Sequence, residues 1–304
     1  MLKFIALALA AVAAAAALVL ANAPYDVDTA IRSLYYAKVA YCGAQQITQW
    51  DCGRLCSQKF PNVTDITVAQ VEDDASTGYV FYNRARNEIV LGFRGTVNLI
   101  GWLVDFTFNQ VSPDIAGCDQ CKVHAGFNTA LHKLSATLYP ALHKLARAHP
   151  SATVQVGGHS MGAALASLAY GPVLQQLRAS GFAGRVLSYT FGEPRVSNDA
   201  YVAWLWRLVE KDGASSGRYR VSNYCDPITR IPPRGFDELF HQQWLHAPRE
   251  AMYKDPFASF QSQALKMCNG TIKAEDESCL TCPLLDRSML SHTTYGGIGL
   301  GCFL

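Results

Sequence analysis

A serine lies between two glycines in the pentapeptide Gly158-His159-Ser160-Met161-Gly162. The apolar, β-branched stretch 152–156 before it predicts a strand, and the small residues and leucines of 163–170 predict a helix. A serine on a sharp strand-to-helix turn exposes its hydroxyl at the sheet edge, and the glycines let strand and helix pass closely. The spacing therefore predicts a nucleophile elbow at Ser160. The alternative is an ordinary glycine-rich turn with a capping serine.

A serine hydroxyl becomes a nucleophile only when a base removes its proton, and the base needs a carboxylate that orients it. In sheets that carry such an elbow, the acid and then the histidine follow the serine along the chain. Asp226 fits the acid because it comes just after the predicted strand 218–223 and before a proline. An aspartate before proline is also a common turn residue. Asp237, Asp255 and Asp286 lie in irregular sequence and are weaker candidates.

Three later histidines are candidate bases. His241 and His246 lie in an aromatic segment, where packing or hydrogen-bonding roles are equally consistent with the sequence. His292 stands alone near the end of the chain, and the spacing favours it. His124 and His159 precede or adjoin the serine and are predicted to be structural.

The elements that must position these side chains follow from hydrophobic periodicity. Helices are predicted over 26–42, 126–148 and 200–211, a hairpin over 78–83 and 88–93, further strands over 186–191 and 218–223, and a cysteine-tied loop over 43–67. Alternating strands and helices predict a largely parallel sheet covered on both faces, with catalytic groups at the carboxyl ends of its strands. Because no repeat or linker divides residues 24–304, we expect a single α/β domain.

The composition and the N-terminal segment limit the classes of protein to which this chain can belong. Half of the 304 residues are hydrophobic, which predicts a sizeable core, and the net charge of +2 without a basic run argues against nucleic acid as a partner. Lys3, the apolar run 4–20 and the small residues 21–23 predict a signal peptide over 1–21, cleaved after Ala21 or after Ala23. We therefore expect secretion. The alternative is an uncleaved membrane anchor, since the run approaches spanning length.

Ten cysteines follow this segment, and an even number behind a signal peptide predicts disulfides. The pairs Cys118/Cys121 and Cys279/Cys282 have zinc-ligand spacing, but they lie far apart in the chain and the destination is oxidising, so no metal site is expected. The sequons that begin at Asn62 and Asn269 predict surface glycosylation.

Five blocks, taken together, resemble the class 3 lipases, the fungal-type secreted triacylglycerol lipases with an α/β-hydrolase fold. They occur in the family's order and span most of the chain after the signal peptide: Leu91–Thr96, Val123–Phe127, Gly158–Gly162, Phe191–Val196 and Asp226–Pro233. The resemblance implies Ser160 as nucleophile, Asp226 as orienting acid and His292 as general base. It aligns His246 with a histidine that is not catalytic.

The resemblance also implies an oxyanion hole formed by the backbone N–H and hydroxyl of Thr96 and by the backbone N–H of Met161. Such donors each lower a barrier by about 3 kcal/mol. Thr96 is also consistent with a cap at a strand end. Ser291 and Gly296, which flank the His292 motif, differ from the family's usual residues.

An apolar stripe follows Thr96 at positions i, i+3, i+4 and i+7, formed by Leu99, Trp102, Leu103 and Phe106. The pattern predicts a short helix and is equally consistent with core packing. Because the family carries its lid here, we expect a mobile cover whose apolar face turns toward a lipid surface.

The disulfides implied by the resemblance are Cys42–Cys302, Cys52–Cys56 and Cys118–Cys121. Cys268–Cys279 is the next best pair, and Cys225–Cys282 follows only by elimination. The expected activity is hydrolysis of carboxylic esters through an acyl-enzyme, with triacylglycerol at an oil–water or membrane surface as substrate. No metal, cofactor or obligate protein partner is expected. The alternatives are a feruloyl or short-chain esterase of the same fold and an inactive lipid-binding homologue.

Overall fold

The computed structural model describes residues 24–71, 76–96, 108–223, 225–232, 249–253, 265–269 and 289–302. Its α-helices are α1 (Val27–Val39), α2 (Ala44–Gln49), α3 (Ala125–Ala148), α4 (Met161–Ala179), α5 (Asp199–Asp212) and α6 (Met289–Thr293). Its strands are β1 (Val63–Val71), β2 (Ser76–Asn83), β3 (Glu88–Phe93), β4 (Gln110–Val111), β5 (Val123–His124), β6 (Thr153–His159), β7 (Val186–Phe191), β8 (Ser216–Asn223), β9 (Arg249–Tyr253), β10 (Leu265–Asn269), β11 (Thr294–Tyr295) and β12 (Ile298–Gly299).

The main sheet has the strand order β1-β2-β3-β6-β7-β8-β9-β10. Neighbours from β3 to β9 pair in parallel, whereas β1–β2, β2–β3 and β9–β10 pair antiparallel. Parallel neighbours need crossover connections, and helices α3, α4 and α5 lie between successive parallel strands in the chain. The largely parallel sheet predicted from the sequence is therefore confirmed.

Apolar side chains cover both faces of the central strands, which explains why β3, β7 and β8 are buried throughout and β6 is buried over most of its length. On one face, Ala30 and Leu34 of α1 belong to a cluster with Tyr189 and Phe191 of β7. On the other face, leucines of α3 and α4 pack with Val154 and the other inward residues of β3 and β6. The sheet is thus held between α1 and the α3–α5 layer, so its strand ends are rigid supports.

Local signals begin the helices where the periodicity predicts them. Asp26 caps α1 by accepting a 2.7 Å hydrogen bond from the Thr29 N–H, and Asn198 caps α5 through the Tyr201 N–H. The hairpin predicted over 78–83 and 88–93 is present as β2 and β3.

The prediction of a loop over 43–67 is wrong, because this stretch contains α2, a π-helical turn (Leu55–Lys59) and the start of β1. β1 lies at the edge of the main sheet and is only partly buried, so it lacks the clean alternation that identifies a strand. Within the described ranges no helix is long and apolar enough to cross a membrane. The predicted signal peptide, residues 1–21, lies outside those ranges.

Candidate active site

Ser160 occupies the turn between β6 and α4, in a backbone conformation that side chains rarely adopt. Its φ of 60° and ψ of −126° place it among the few non-glycine residues with positive φ. Such a conformation costs of order 1–3 kcal/mol and persists only where its surroundings enforce it. Here the Ser160 N–H donates a 2.9 Å hydrogen bond to the carbonyl of Phe191 at the end of β7. The neighbouring strand therefore holds the turn in place.

The two glycines of the motif are required by close approach of backbones. A Cβ atom at Gly158 would lie 2.4 Å from the Gly162 carbonyl oxygen, and one at Gly162 would lie 2.2 Å from the Phe93 carbonyl oxygen. Any side chain at either position would push α4 away from β3 and β6. The close packing predicted for the elbow is present in the structure.

Asp226 and His292 form a buried hydrogen-bonded pair. Asp226 lies in the turn after β8 and His292 on the short helix α6, and the exposed fractions of the two residues are 1% and 0%. His292 Nδ1 lies 2.9 Å from Asp226 Oδ1 and 2.8 Å from Oδ2. Oδ1 also accepts from the Ile228 N–H at 2.9 Å, and Oδ2 from the Tyr295 hydroxyl at 2.6 Å. Both carboxylate oxygens thus have hydrogen-bond donors although the residue is buried.

The charge state of Asp226 follows from these contacts. Burial by itself raises the pKa of the carboxyl, but the attraction of His292 and the hydrogen bonds from His292 and Tyr295 outweigh it, so the pKa of Asp226 lies below its ordinary value. The carboxylate is therefore ionised at neutral pH and accepts the Nδ1 proton of His292. This arrangement fixes the tautomer in which Nε2 is free to accept a proton.

Two polar atoms at this site are buried without a partner among the described residues, Ser160 Oγ and His292 Nε2. Buried polar atoms are normally hydrogen-bonded, so each exception calls for an explanation.

A Cβ at Gly192, the residue after β7, would lie 2.8 Å from His292 Nδ1 and 2.9 Å from Asp226 Oδ2. The backbone N–H of Ser160 bonds to the adjacent Phe191, so the end of β7 borders all three residues. The structure thus gathers them at the carboxyl ends of β6, β7 and β8.

The residues predicted for an oxyanion hole border the serine. A Cβ at Gly95 would lie 3.1 Å from Ser160 Cβ, so the loop that continues to Thr96 runs directly against the elbow. Met161 is the first residue of α4, and the first N–H groups of a helix have no acceptor within it. Both residues therefore border Ser160, and their role as oxyanion donors stays a prediction. Leu99, Trp102, Leu103 and Phe106, predicted as the lid, lie outside the described residues.

Several of the remaining candidates also lie outside those ranges, namely Asp237, Asp255, Asp286, His241 and His246. Tyr295 was not among the predicted site residues, although its hydroxyl donates a hydrogen bond to Asp226 Oδ2. Its position three residues after His292 was the only feature of the sequence that could have indicated a place near the site. Among the described residues no cluster of His, Cys, Asp or Glu has the makings of a metal site.

The structure contains the disulfides Cys42–Cys302, Cys52–Cys56 and Cys118–Cys121. Cys225 and Cys268 are also disulfide-bonded. Because Cys279 and Cys282 lie outside the described residues, the pairs Cys268–Cys279 and Cys225–Cys282 stay predictions. Asn62 is exposed in the turn before β1, as glycosylation requires, whereas the Asn269 side chain is not described.

The fold and this arrangement define an α/β-hydrolase, and comparison with known proteins agrees. Residues 90–236 match the family model for Lipase (class 3). A secreted mono- and diacylglycerol lipase of Fusarium solani is 33% identical over 220 residues, which cover 71% of this chain and 59% of that protein. Secreted mono- and diacylglycerol lipase A of Penicillium cyclopium is 25% identical over 259 residues, covering 82% and 78%.

The solved lipase of Rhizopus microsporus var. chinensis superposes with a TM-score of 0.74 at 24% identity, over 91% of this chain and 89% of that one. The chain belongs to the class 3 lipase family. The family and fold predicted from the sequence are thereby confirmed.

Proposed function

We propose that this protein is a serine-dependent carboxylic ester hydrolase, a lipase that cleaves acylglycerols at lipid surfaces. The observation that carries the proposal is the buried Asp226–His292 pair beside an elbow serine, with Ser160 Oγ and His292 Nε2 both lacking a partner within the described structure. These two atoms are the ones between which a proton must move when the hydroxyl attacks an ester.

The first half of the reaction forms an acyl-enzyme. Ser160 Oγ attacks the ester carbonyl carbon while His292 Nε2 takes the hydroxyl proton, and Asp226 stabilises the resulting imidazolium. The carbonyl oxygen becomes an oxyanion that accepts hydrogen bonds from the N–H groups of Met161 and Thr96 and from the Thr96 hydroxyl. The carbon–oxygen bond to the alcohol then breaks, and His292 returns its proton to the leaving alkoxide.

The second half regenerates the enzyme. Water enters, gives a proton to His292 Nε2 and attacks the acyl carbon, forming a second tetrahedral intermediate in the same oxyanion hole. Collapse of that intermediate breaks the bond to Ser160 Oγ, which recovers the proton from His292 as the free acid leaves. Every proton transfer uses Nε2, so the reaction depends on Asp226 keeping Nδ1 protonated.

The substrate class rests on family membership and on the relatives' names. Two of them are named mono- and diacylglycerol lipases, which favours partial glycerides as well as triacylglycerols. Initial rates on emulsified triolein, diolein and monoolein will rank the three, and a dissolved short-chain ester serves as reference. A rise in rate above the solubility limit of the substrate is expected if the segment after Thr96 acts as a lid. No rise would contradict that role.

The test of the serine assignment is the variant Ser160→Ala. Its matched control is Ser135→Ala, at a partly buried serine of α3 whose hydroxyl donates to the His132 carbonyl. We expect Ser160→Ala to lose about a million-fold in kcat on 4-nitrophenyl esters. The control should keep the wild-type rate. Turnover by Ser160→Ala near the wild-type rate would overturn the assignment.

Secretion through cleavage of residues 1–21 is part of the proposal. The relatives above are named as secreted, and the disulfides fit an oxidising compartment. N-terminal sequencing of the protein recovered from culture medium should begin at residue 22 or 24. Retention in a membrane fraction with Met1 in place would instead support the anchor.

A further inference from the structure

His159, the residue before Ser160, is buried in contact with two groups that come from distant parts of the chain. Its Nε2 lies 2.7 Å from the backbone carbonyl oxygen of His292, and its Nδ1 lies 2.5 Å from the Tyr41 hydroxyl oxygen. The His159 and His292 rings are adjacent, with centroids 4.4 Å apart. His159 therefore hydrogen-bonds to the peptide that carries the proposed base and packs against its ring, whereas Nε2 of that base has no hydrogen-bond partner among the described residues.

The direction of both hydrogen bonds follows from the chemistry of the atoms. A carbonyl oxygen only accepts, so Nε2 of His159 carries the proton and donates it to His292. Nδ1 is then the acceptor, and the Tyr41 hydroxyl donates. Burial and the neighbouring His292 lower the pKa of His159 to about 3, and burial raises the pKa of Tyr41, so both residues are neutral at working pH. The result is a directed chain from Tyr41 through His159 to His292.

We propose that His159 and Tyr41 are positioning residues that fix the backbone of His292 and thereby aim its imidazole. The proposal rests on the proposed function, in which His292 Nε2 accepts the proton of Ser160. Neither residue hydrogen-bonds to Ser160 Oγ or to His292 Nε2. Their contribution is to hold the base where its free nitrogen meets the nucleophile.

The need for such support comes from α6 itself. It has only five residues, and a helix of that length is unstable on its own in water. Asn223, at the end of β8, donates from Nδ2 to the carbonyls of Ser291 and Thr294, on either side of the base. The His159 bond is made to the carbonyl of His292 itself. Because His159 is next to Ser160 in the chain, this bond ties the base to the nucleophile's own backbone.

Tyr41 extends the same support to the oxyanion loop. A Cβ at Gly95 would lie 2.2 Å from the Tyr41 hydroxyl and 2.6 Å from the His159 carbonyl oxygen. The hydroxyl is therefore packed against the residue before Thr96 while it donates to His159. One side chain at the end of α1 thus contacts the loop that carries the proposed oxyanion donor and the histidine that holds the base.

A purely structural role would also make these residues sensitive to mutation, because loss of any buried hydrogen bond destabilises a protein. Two substitutions of His159 separate the roles. The amide nitrogen of glutamine reaches about as far as Nε2, so His159→Gln keeps a donor for the His292 carbonyl. The shorter His159→Asn carries its amide near Nδ1 and leaves that carbonyl without its donor.

We expect His159→Asn to lower kcat on 4-nitrophenyl butyrate by about 100-fold, the scale of a misplaced catalytic group, with KM within about threefold of wild type. His159→Gln should recover most of that loss. Tyr41→Phe should lower kcat several-fold. Its matched control is Tyr170→Phe, which removes a buried hydroxyl that donates to the Val186 carbonyl away from the site. That control should leave kcat at the wild-type value.

The proposal is overturned if the Asn and Gln variants lose kcat equally and each loss of kcat parallels the fall in that variant's unfolding temperature. His159 would then have only a structural role. Wild-type kcat in His159→Asn would overturn it too. If His159→Asn does not fold, equal kcat in Tyr41→Phe and Tyr170→Phe overturns the proposal, and a loss confined to Tyr41→Phe supports it. Labelling of Ser160 by diethyl 4-nitrophenyl phosphate distinguishes failure of the positioning role from failure of the proposed function. A wild-type chain that is neither labelled at Ser160 nor active refutes the proposed function as well, whereas a labelled, active wild type leaves only the positioning role in question.

Discussion

Replacing Asp226 by asparagine tests whether this carboxylate sets the tautomer of His292. The two oxygens of Asp226 are distinguishable by their other partners. Oδ1 accepts from the Ile228 backbone N–H, a group that only donates, whereas Oδ2 accepts from the Tyr295 hydroxyl, which can rotate and accept instead. The amide oxygen of asparagine will therefore take the Oδ1 position, and its NH₂ group will take the Oδ2 position.

At the Oδ2 position the NH₂ group lies about 2.8 Å from His292 Nδ1, whereas the amide oxygen at the Oδ1 position lies about 2.9 Å from it. The nearer group is now a donor, and we expect it to donate to Nδ1. Nδ1 then loses its proton and Nε2 gains one, so Nε2 can no longer accept the proton of Ser160. Holding a catalytic histidine in the wrong tautomer lowers kcat by about 10⁴-fold. At about 1.4 kcal/mol for each factor of ten, this is about 5.5 kcal/mol of transition-state stabilisation.

The assay is kcat and KM on 4-nitrophenyl butyrate, with the unfolding temperature measured on the same samples. Asp199→Asn, which changes an acid in the first turn of α5, is the control and should keep the wild-type kcat. We expect a near-native fold in Asp226→Asn, because Tyr295 and Ile228 keep their hydrogen bonds. A folded Asp226→Asn variant that retains more than about a tenth of the wild-type kcat would refute the tautomer argument.

Gly192→Ala should lower kcat by about 100-fold, because the new Cβ would lie 2.8 Å from His292 Nδ1. The control is Gly181→Ala, at a similar positive φ but with no atom within 4 Å of the new Cβ, which should lower only stability. Equal kcat in the two variants would contradict the contact. Replacing Cys42 and Cys302 together by alanine removes a link across 260 residues and should lower the free energy of unfolding by about 2–5 kcal/mol, checked by urea titration against the wild type. The pKa of His159 is lower in the folded state, so the unfolded state binds the extra proton and wild-type stability falls between pH 6.5 and pH 3. From pH 7 to 4.5 the wild type should lose about 2 to 3 kcal/mol more than His159→Gln, and parallel losses would show that the imidazole is not held neutral.

The positions of the candidate serine and acid could be predicted because their signals are local. The elbow is defined by five consecutive residues and by the strand and helix on either side, and the structure places β6 and α4 around Ser160. Asp226 was similarly marked by its place after a predicted strand. Spacing favoured His292 only narrowly over His241 and His246, and the family resemblance resolved the ambiguity. The reason is that the base and acid meet across 66 residues of chain, a distance that periodicity does not encode.

Contacts made by tertiary packing left no signal in the sequence. Tyr41 and His159 are 118 residues apart, and His159 reaches His292 across 133. One departure from the family pattern does have a local cause. Gly296 and its neighbour Gly297 have φ values of 55° and 77° in the two-residue turn between β11 and β12, where glycine is favoured. The glycine at 296 is therefore explained by the turn and says nothing against His292.

The C-terminal segment that carries His292 depends on α1 for its position. The Cys42–Cys302 disulfide fastens the tail to the end of α1, and Lys38 donates from Nζ to the Gly299 carbonyl on β12. Tyr41, between these two residues, reaches His159. Since α1 packs on the rigid sheet through its apolar face, it can transmit that rigidity to a five-residue helix that could not hold itself. The first described helix, α1, therefore helps to hold the proposed base in position, together with Asn223 at the end of β8.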